Sequence, residues 1–316
     1  MPFKVESVNP KHESLNGVFL PLYANRTFCQ AIADLHNIEL SYLIVYNSGE
    51  LWALMPMFEK TRYGIRQLIT PILSYYNPIV WLLPEQQRPN KNLLHKLEIT
   101  SIISDYLIEN YRIMNINLSP ETYDVRSFQN AGITAKPMFT FLYNLSPDYE
   151  PNFFAKEGTS LRKAQRMGIE IREEFLPDQF ISLLEKTNER QERTFNISRE
   201  KHLRLLKTLS DAGMMIQLNA FYNDSLISSL LILNDTENKA LYAWQNGTNP
   251  EYLHSGVAIF LHYHAIMKYK ESYLLYDLCG ANHPGISRFK AAIGAELKLF
   301  FRLEYRKSGI SILKLR

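Results

Sequence analysis

The chain of 316 residues is long enough for two domains, and its 46% hydrophobic and 21% charged residues are typical of a soluble globular protein. A net charge of +3 is too small to indicate nucleic-acid binding, and two cysteines without a CxxC pattern do not support a disulfide framework or a zinc site. Segment 1–16 lacks the apolar core of a signal peptide, and no apolar run approaches the ~20 residues of a membrane span. We therefore expect a cytoplasmic protein without a transmembrane segment, with peripheral membrane contact left open.

In chain order, the first half begins with a predicted hairpin. Two apolar runs, 40–46 and 51–58, flank a polar turn that contains Gly49, which is typical of a β-hairpin. A helix is predicted further on at 91–110, because its apolar residues recur at helical spacing. The remaining predicted elements of this half are strands at 65–69, 79–83, 113–118 and 139–143 and a short helix at 124–132.

The second half begins with three predicted helices, at 153–166, 178–192 and 199–211, the last with Ser198 as its N-cap. An antiparallel meander is predicted at 214–222, 226–233 and 240–245. The helix predicted at 256–269 is apolar on most faces, which indicates that it is sandwiched between other elements. A strand at 273–276, a short helix at 284–290 and a strand at 297–303 complete the predicted order.

The two halves show the same order of elements, so the sequence predicts two similar domains, 1–145 and 146–316. Each runs as helix, antiparallel meander, long helix, strand, short helix and strand, which indicates an α/β fold with a mixed sheet and helices on both faces. Both copies of the closing unit place an Arg and a Phe shortly before a Gly that ends the short helix. After the Phe they differ, with Gln129 in the first copy and Lys290 in the second. We therefore expect the active site in the second domain.

Three motifs carry a resemblance to a known family. They are GELWALMPM at 49–57, SLRKAQRMGI at 160–169, and YDLCGA at 276–281 followed by GISRFK at 285–290 and Gly294. In this order they resemble the FemAB-like acyltransferases, including the BioF-like members, whose fold is two tandem GNAT (acyl-CoA N-acyltransferase) domains. The resemblance covers about 19–304 and is more specific for the fold than for the substrate.

This resemblance implies the transfer of an acetyl, acyl or aminoacyl group to an amine or hydroxyl of a cell-envelope or saccharide precursor, with peptidoglycan and exopolysaccharide as the expected settings. The expected co-substrate is acetyl-CoA, another acyl-CoA or aminoacyl-tRNA, with no tightly bound cofactor and no metal. The acceptor is a small-molecule or lipid- or nucleotide-linked saccharide; tRNA is an open partner, and DNA is not expected. The alternative is a non-catalytic GNAT-fold protein that binds a ligand or a partner.

Two departures from the family pattern affect which acyl donor, acyl-CoA or aminoacyl-tRNA, is expected. The connection 246–256 lacks the glycine spacing with which GNAT enzymes bind the CoA pyrophosphate at a helix N-terminus, although Ser255 and Gly256 precede a helix there. The segment 178–211 holds two ordinary helices rather than the long coiled-coil arm of some Fem-type proteins. Both donor classes therefore stay open.

Lys290 is the first catalytic candidate. A positioned cation there would stabilise a phosphate or the developing oxyanion of acyl transfer, whereas the alternative is a solvated helix lysine. Arg288 and Phe289 beside it are assigned to substrate or donor binding, with core packing as the alternative for Phe289. Asp277 is the second catalytic candidate, since it would orient an amine or act as a general base. Its alternative role is to cap the following turn.

The other candidates are assigned to binding. Arg162, Lys163 and Arg166 form a basic cluster that would hold phosphates, unless it is a solvated helix face. Trp244 lies on the last meander strand and is either a wall of the donor cleft or a core residue. Arg126 in the first half either contacts an acceptor phosphate or pairs with Asp124.

Overall fold

A computed structural model describes residues 3–84, 88–190, 197–282 and 284–307. The chain divides into two compact units, which we call unit 1 (Met1–Met138 with Leu299–Arg316) and unit 2 (Phe139–Lys298). These units reflect which residues pack together, whereas the predicted domains 1–145 and 146–316 reflect the repeated order of elements along the chain. The domain boundaries therefore stay a prediction. Among the described residues, no helix is both long enough and apolar enough to cross a membrane.

The elements of the first half of the chain are β1 (Lys4–Val8), α1 (Arg26–His36), β2 (Glu39–Asn47), β3 (Glu50–Arg62), β4 (Ile65–Ile69), β5 (Val80–Trp81), α2 (Pro89–Asn110), β6 (Ile113–Asn117), α3 (Arg126–Asn130) and β7 (Thr134–Asn144). Those of the second half are α4 (Ala155–Arg166), β8 (Glu170–Glu173), α5 (Pro177–Arg190), α6 (Arg199–Asp211), β9 (Met215–Tyr222), β10 (Ser225–Asp235), β11 (Ala240–Thr248), α7 (Val257–Tyr269), β12 (Leu275–Asp277), α8 (Pro284–Ala292) and β13 (Glu296–Arg306).

The sheets of the two units have the same topology. In unit 1 the strands follow the order β1-β2-β3-β4-β6-β13, with β5 paired to β3. Neighbours are antiparallel except for the parallel pair β4 and β6. In unit 2 the order is β8-β9-β10-β11-β12-β7, again antiparallel except for the parallel pair β11 and β12. The described chain therefore contains one fold twice.

Each sheet takes its last strand from the other half of the chain. The part of β13 that pairs with β6 is 302–306, which belongs to unit 1. The part of β7 that pairs with β12 is 142–144, which belongs to unit 2. The paired part of the last strand of each sequence repeat therefore lies in the unit that the other repeat mainly forms.

The core of unit 2 determines where its helices lie. A single hydrophobic cluster joins α4, α7 and strands β9–β12, and it includes the buried residues Ala164, Leu261 and Tyr276. The side chains of α7 are buried on several faces, which confirms the predicted sandwiched helix. Helix α5 packs directly on β11, where an added Cβ at Gly247 would lie 2.9 Å from the Leu183 Cβ.

Most predicted elements are present within about two residues of their predicted ends. The predicted strand 79–83 is shorter, at Val80–Trp81, and residues 191–192 at the end of predicted helix 178–192 lie outside the described residues. The repeat predicted a helix before the first meander but not its position, which is α1 (Arg26–His36), and strands β1 and β8 were not predicted. Strands β1 and β8 are short edge strands with few buried side chains, so they lack a strong alternating pattern.

Candidate functional site

Strand β12 ends at the candidate site in unit 2, while its parallel neighbour β11 continues. They run parallel for only three residue pairs, the last of which joins Tyr242 and Asp277. Beyond that pair β12 ends, whereas β11 continues to Thr248. A crevice at the carboxyl ends of diverging parallel strands is a common ligand site in α/β proteins. The turn 277–280 follows β12 at this place.

Asp277 is buried and hydrogen-bonded at the end of β12. Its Oδ1 accepts a hydrogen bond from the Thr140 hydroxyl at 2.6 Å and another from the Cys279 backbone N–H at 2.8 Å. The second bond is the turn-capping contact that sequence reasoning gave as the alternative role. The general-base role of Asp277 stays a prediction.

The ammonium of Lys290 contacts the same turn from α8. Its Nζ donates to the carbonyl oxygens of Leu278, Cys279 and Gly280 at 2.5, 2.6 and 2.5 Å. An ammonium has three N–H donors, and three carbonyls are present to accept them. Lys290 is therefore buried and bonded to protein, rather than a solvated helix lysine.

Burial lowers the pKa of Lys290 below its usual value, while the thiol of Cys279 and the carboxylate of Asp277 oppose that shift. The turn itself is unusual, because Cys279 and Gly280 both have left-handed backbone angles, with φ of 54° and 73°. Cys279 is not glycine and adopts this conformation at an energetic cost. The Lys290 contacts offset that cost by holding all three carbonyls in place.

A buried His–Tyr pair lies behind Lys290. The Nδ1 atom of His262 is 2.9 Å from the Tyr276 hydroxyl, and its ring centroid is 6.1 Å from that of Phe289. Burial, with a smaller contribution from the charge of Lys290, lowers the pKa of His262 to about 3. His262 is therefore a buried, hydrogen-bonded histidine that is neutral at pH 7.

The basic cluster lies on exposed positions of α4. Lys163 Nζ donates to the backbone carbonyl of His254 at 2.8 Å, and an Arg162 terminal nitrogen lies 3.1 Å from the Thr159 hydroxyl. The Lys163 contact reaches the short 3-10 helix Pro250–Ser255 that leads into α7. The exposed guanidinium of Arg166 completes the cluster. The phosphate-binding role of the cluster stays a prediction.

Helix α7 begins in close contact with α4. Gly256 directly precedes the helix with a left-handed φ of 84°. An added Cβ at this position would lie 2.1 Å from the Ser160 carbonyl oxygen. Glycine is thus required here both by the backbone angle and by the approach of α4.

The remaining predicted binding residues have different environments. Trp244 is buried, Phe289 is partly buried against the core, and Arg288 is exposed. Arg126 belongs to unit 1 and forms a two-bond ion pair with Asp124, at 2.9 and 2.7 Å, which is the alternative that sequence reasoning gave for it. Binding roles for these four residues stay predictions.

The chain is similar to known proteins in both a sequence family and its fold. Residues 158–291 match the family described as the acetyltransferase (GNAT) domain, a segment that includes Arg162, Asp277 and Lys290. The crystal structure of FemX superposes with a TM-score of 0.64 at 13% identity, covering 92% of this chain and 93% of FemX. The chain has the FemAB-like tandem GNAT fold.

Other structures with this GNAT fold are similarly distant in sequence. L-PGS from Bacillus licheniformis has a TM-score of 0.55 at 12% identity, covering 90% of this chain and 88% of L-PGS. A conserved protein of unknown function from Bacteroides thetaiotaomicron VPI-5482 has a TM-score of 0.58 at 11% identity, with 89% and 90% covered. No curated protein matches the chain by sequence. The family match and the fold support an acyltransferase in general.

The residue of this GNAT site that sequence reasoning missed is Thr140. It lies on β7 and is 137 positions from Asp277 along the chain, yet it donates a hydrogen bond to that carboxylate. Only the pairing of β7 with β12 brings the two residues together. No local pattern in the sequence predicts that pairing, because the repeat indicates that β7 belongs with the first half.

Because the imidazole of His262 is buried, we expect the stability of the fold to decrease in acid. The unfolded chain takes up a proton at His262 below pH ~6.5, whereas the folded protein resists protonation until about pH 3. Stability is therefore lost as the pH falls through this window. We expect the unfolding free energy of the wild type, relative to His262→Gln, to fall by about 2 kcal/mol between pH 7 and 4.5. Urea unfolding at each pH measures it, and a constant difference would contradict the prediction.

Proposed function

We propose that the chain is an acyltransferase that transfers an acetyl, acyl or aminoacyl group to an amine or hydroxyl of a cell-envelope or saccharide precursor. The observation that carries this proposal is the buried, hydrogen-bonded turn 277–280 at the carboxyl end of β12, beside the continuing strand β11 and inside the GNAT-matching segment. An activated acyl group would lie beside that turn. The likeness to FemX is a likeness of fold, and the acceptor class rests on the motif resemblance.

The reaction requires no covalent enzyme intermediate. The acceptor nitrogen or oxygen attacks the acyl carbonyl carbon, which forms a new C–N or C–O bond. The bond to the thiol sulfur of CoA or to the ribose oxygen of tRNA then breaks, and that leaving group takes a proton as the acceptor loses one. Holding the two substrates in line supplies much of the rate acceleration.

The roles of the chain's residues follow from their contacts. Asp277 and Lys290 both hydrogen-bond to the backbone of the turn 277–280, so we assign them to positioning that turn. Arg162 and Arg166 would contact donor phosphates, with Lys163 fixing α4 to the segment that leads into α7. Trp244, Phe289 and Arg288 would line the substrate side of the unit.

The proposal predicts a modified product with one donor class. The full-length chain is incubated with amine- and hydroxyl-bearing envelope precursors and with acetyl-CoA, longer acyl-CoA or aminoacyl-tRNA in separate reactions. Mass spectrometry should detect an acceptor heavier by the acyl group. We expect Arg162→Gln/Arg166→Gln to raise the KM for that donor by about tenfold or more with little change in kcat, because phosphate contacts bind ground and transition states equally.

The control variant is Arg190→Gln, which removes an exposed arginine of α5 outside the basic cluster. It should leave the donor KM unchanged. A thermal-shift assay with the same donors completes the test. If no donor gives a product, yet one stabilises the chain, the alternative of a non-catalytic binding protein replaces the proposal.

A further inference from the structure

Unit 1 contains a cavity of about 350 Å³ that the proposed function does not use. It opens where the parallel strands β4 and β6 separate, after the pair Ile69 and Asn115. In the strand order, this place in unit 1 corresponds to the end of the parallel pair β11 and β12 in unit 2. The volume lies within the range of small-molecule sites, which starts near 300 Å³. The exposed side chains of Ile72 and Lys60 lie on its lining, so the cavity is open to solvent.

Positive charge dominates the lining of this cavity. Lys60 and Arg302 line it, and no Asp or Glu is among the described residues that do so. Within the described part of the chain, neither Lys60 nor Arg302 has a carboxylate within ion-pair distance. Two uncompensated cations around one concave surface attract an anion.

Arg302 is held in position by Asn117. Its Nε donates to the Asn117 Oδ1 at 2.9 Å, and the Asn117 amide nitrogen donates to the Tyr75 carbonyl at 3.1 Å. The backbone N–H of Asn117 in turn donates to the Thr70 hydroxyl at 2.7 Å. The Asn117 contact uses one of five guanidinium N–H donors and leaves the two terminal nitrogens for other acceptors. A pre-positioned guanidinium is suited to planar, two-bond recognition of an oxyanion.

We propose that this cavity in unit 1 binds a small phosphate-bearing molecule, with Lys60 and Arg302 as its charged contacts. Phosphate is favoured over a single carboxylate because two cations face the cavity and a phosphate group carries up to two negative charges. The apolar residues of the lining, such as Ile72, would contact an uncharged part of the ligand. The site is independent of the acyl-transfer proposal, since it needs no residue of unit 2.

Isothermal titration calorimetry of the full-length chain with inorganic diphosphate tests the site. The titration uses the Arg162→Gln/Arg166→Gln background, so that the basic cluster of α4 does not contribute. We expect one diphosphate per chain. Lys60→Met and Arg302→Gln should each weaken binding by about tenfold or more, the typical loss for one charged contact. Inorganic phosphate should bind more weakly than diphosphate.

Lys91→Met is the matched control, because it removes an exposed lysine of unit 1 that does not line the cavity. Its binding constant should equal that of the background. Lys60 is exposed and makes no ion pair in the described chain, so Lys60→Met tests the site even if Arg302→Gln disturbs folding. Absence of diphosphate binding, or unchanged binding in Lys60→Met, would overturn the proposal. Equal affinity for malonate would overturn the phosphate class.

Discussion

Gly256→Ala is expected to lower the unfolding free energy by about 3 kcal/mol or more. Two costs add at this position. Alanine at φ of 84° is strained by about 1–2 kcal/mol. Its Cβ would also lie 2.1 Å from the Ser160 carbonyl oxygen, so α4 or α7 has to move. Thermal unfolding measures the loss, and about 6 °C or more of decrease in Tm is expected for a unit of this size.

Gly213→Ala separates the two costs. Gly213 also has a left-handed φ, 67°, but nothing lies within 4 Å of an added Cβ. This variant therefore carries the backbone strain alone, and we expect a loss of about 1 kcal/mol. The difference between the two variants measures the close approach of α4 to the start of α7. Equal losses in both would show that this approach does not constrain the protein.

The contact matters for function because it fixes two parts of the candidate donor site. Lys163 donates to the His254 carbonyl two residues before Gly256. The basic cluster of α4 and the beginning of α7 are therefore held by one contact region. A GNAT domain commonly binds donor phosphates near the start of the helix that follows its meander. In this chain segment 246–256 lacks the glycine spacing of that loop, and Lys163 of α4 contacts the residues just before the helix instead.

The sequence predicted the order of elements well where one face of each element is buried. The stripe of Ile99, Ile103 and Leu107 on α2 and the turn at Gly49 both gave correct elements. Helix α1 was expected from the repeat but was not located, even though Asn25 caps it by accepting from the Thr27 and Phe28 N–H groups. A single cap before a mixed segment is a weak signal. The exchange of β7 and β13 was not predictable either, because it depends on pairing between residues far apart in the chain.

The candidate site was predicted in composition but not in geometry. Asp277 and Lys290 were chosen from the motif, and the structure brings both to the same turn. Their partners were not predictable, because the carbonyls of 278–280 converge only when Cys279 and Gly280 take left-handed angles. Thr140 reaches Asp277 through strand pairing alone. The motifs therefore selected residues that meet at one turn, while tertiary contacts determine how those residues are held.

Lys290→Met tests how this lysine acts. The substitution preserves most of the side-chain volume but leaves three buried carbonyls without their donor. Loss of charged hydrogen bonds outweighs the relief from burying an ammonium, so we expect about 2–4 kcal/mol of lost stability. The turn 277–280 should also shift, and a displacement near 1 Å at a reacting centre costs about 100-fold in rate. Thermal unfolding and the kcat/KM of the acyl-transfer assay measure the two effects.

Together, the Tm and the kcat/KM of Lys290→Met show whether Lys290 positions the turn 277–280 or acts directly on the substrate. If Lys290 acted only on the substrate, its replacement would reduce turnover and leave the Tm nearly unchanged. If it holds the turn, both fall together, and Lys298→Met, an exposed lysine of the same unit, changes neither. Full turnover in Lys290→Met would exclude both roles. Because all three ammonium hydrogens have carbonyl acceptors in the structure, we expect the paired loss, with the lysine acting on acyl transfer through the backbone that it holds.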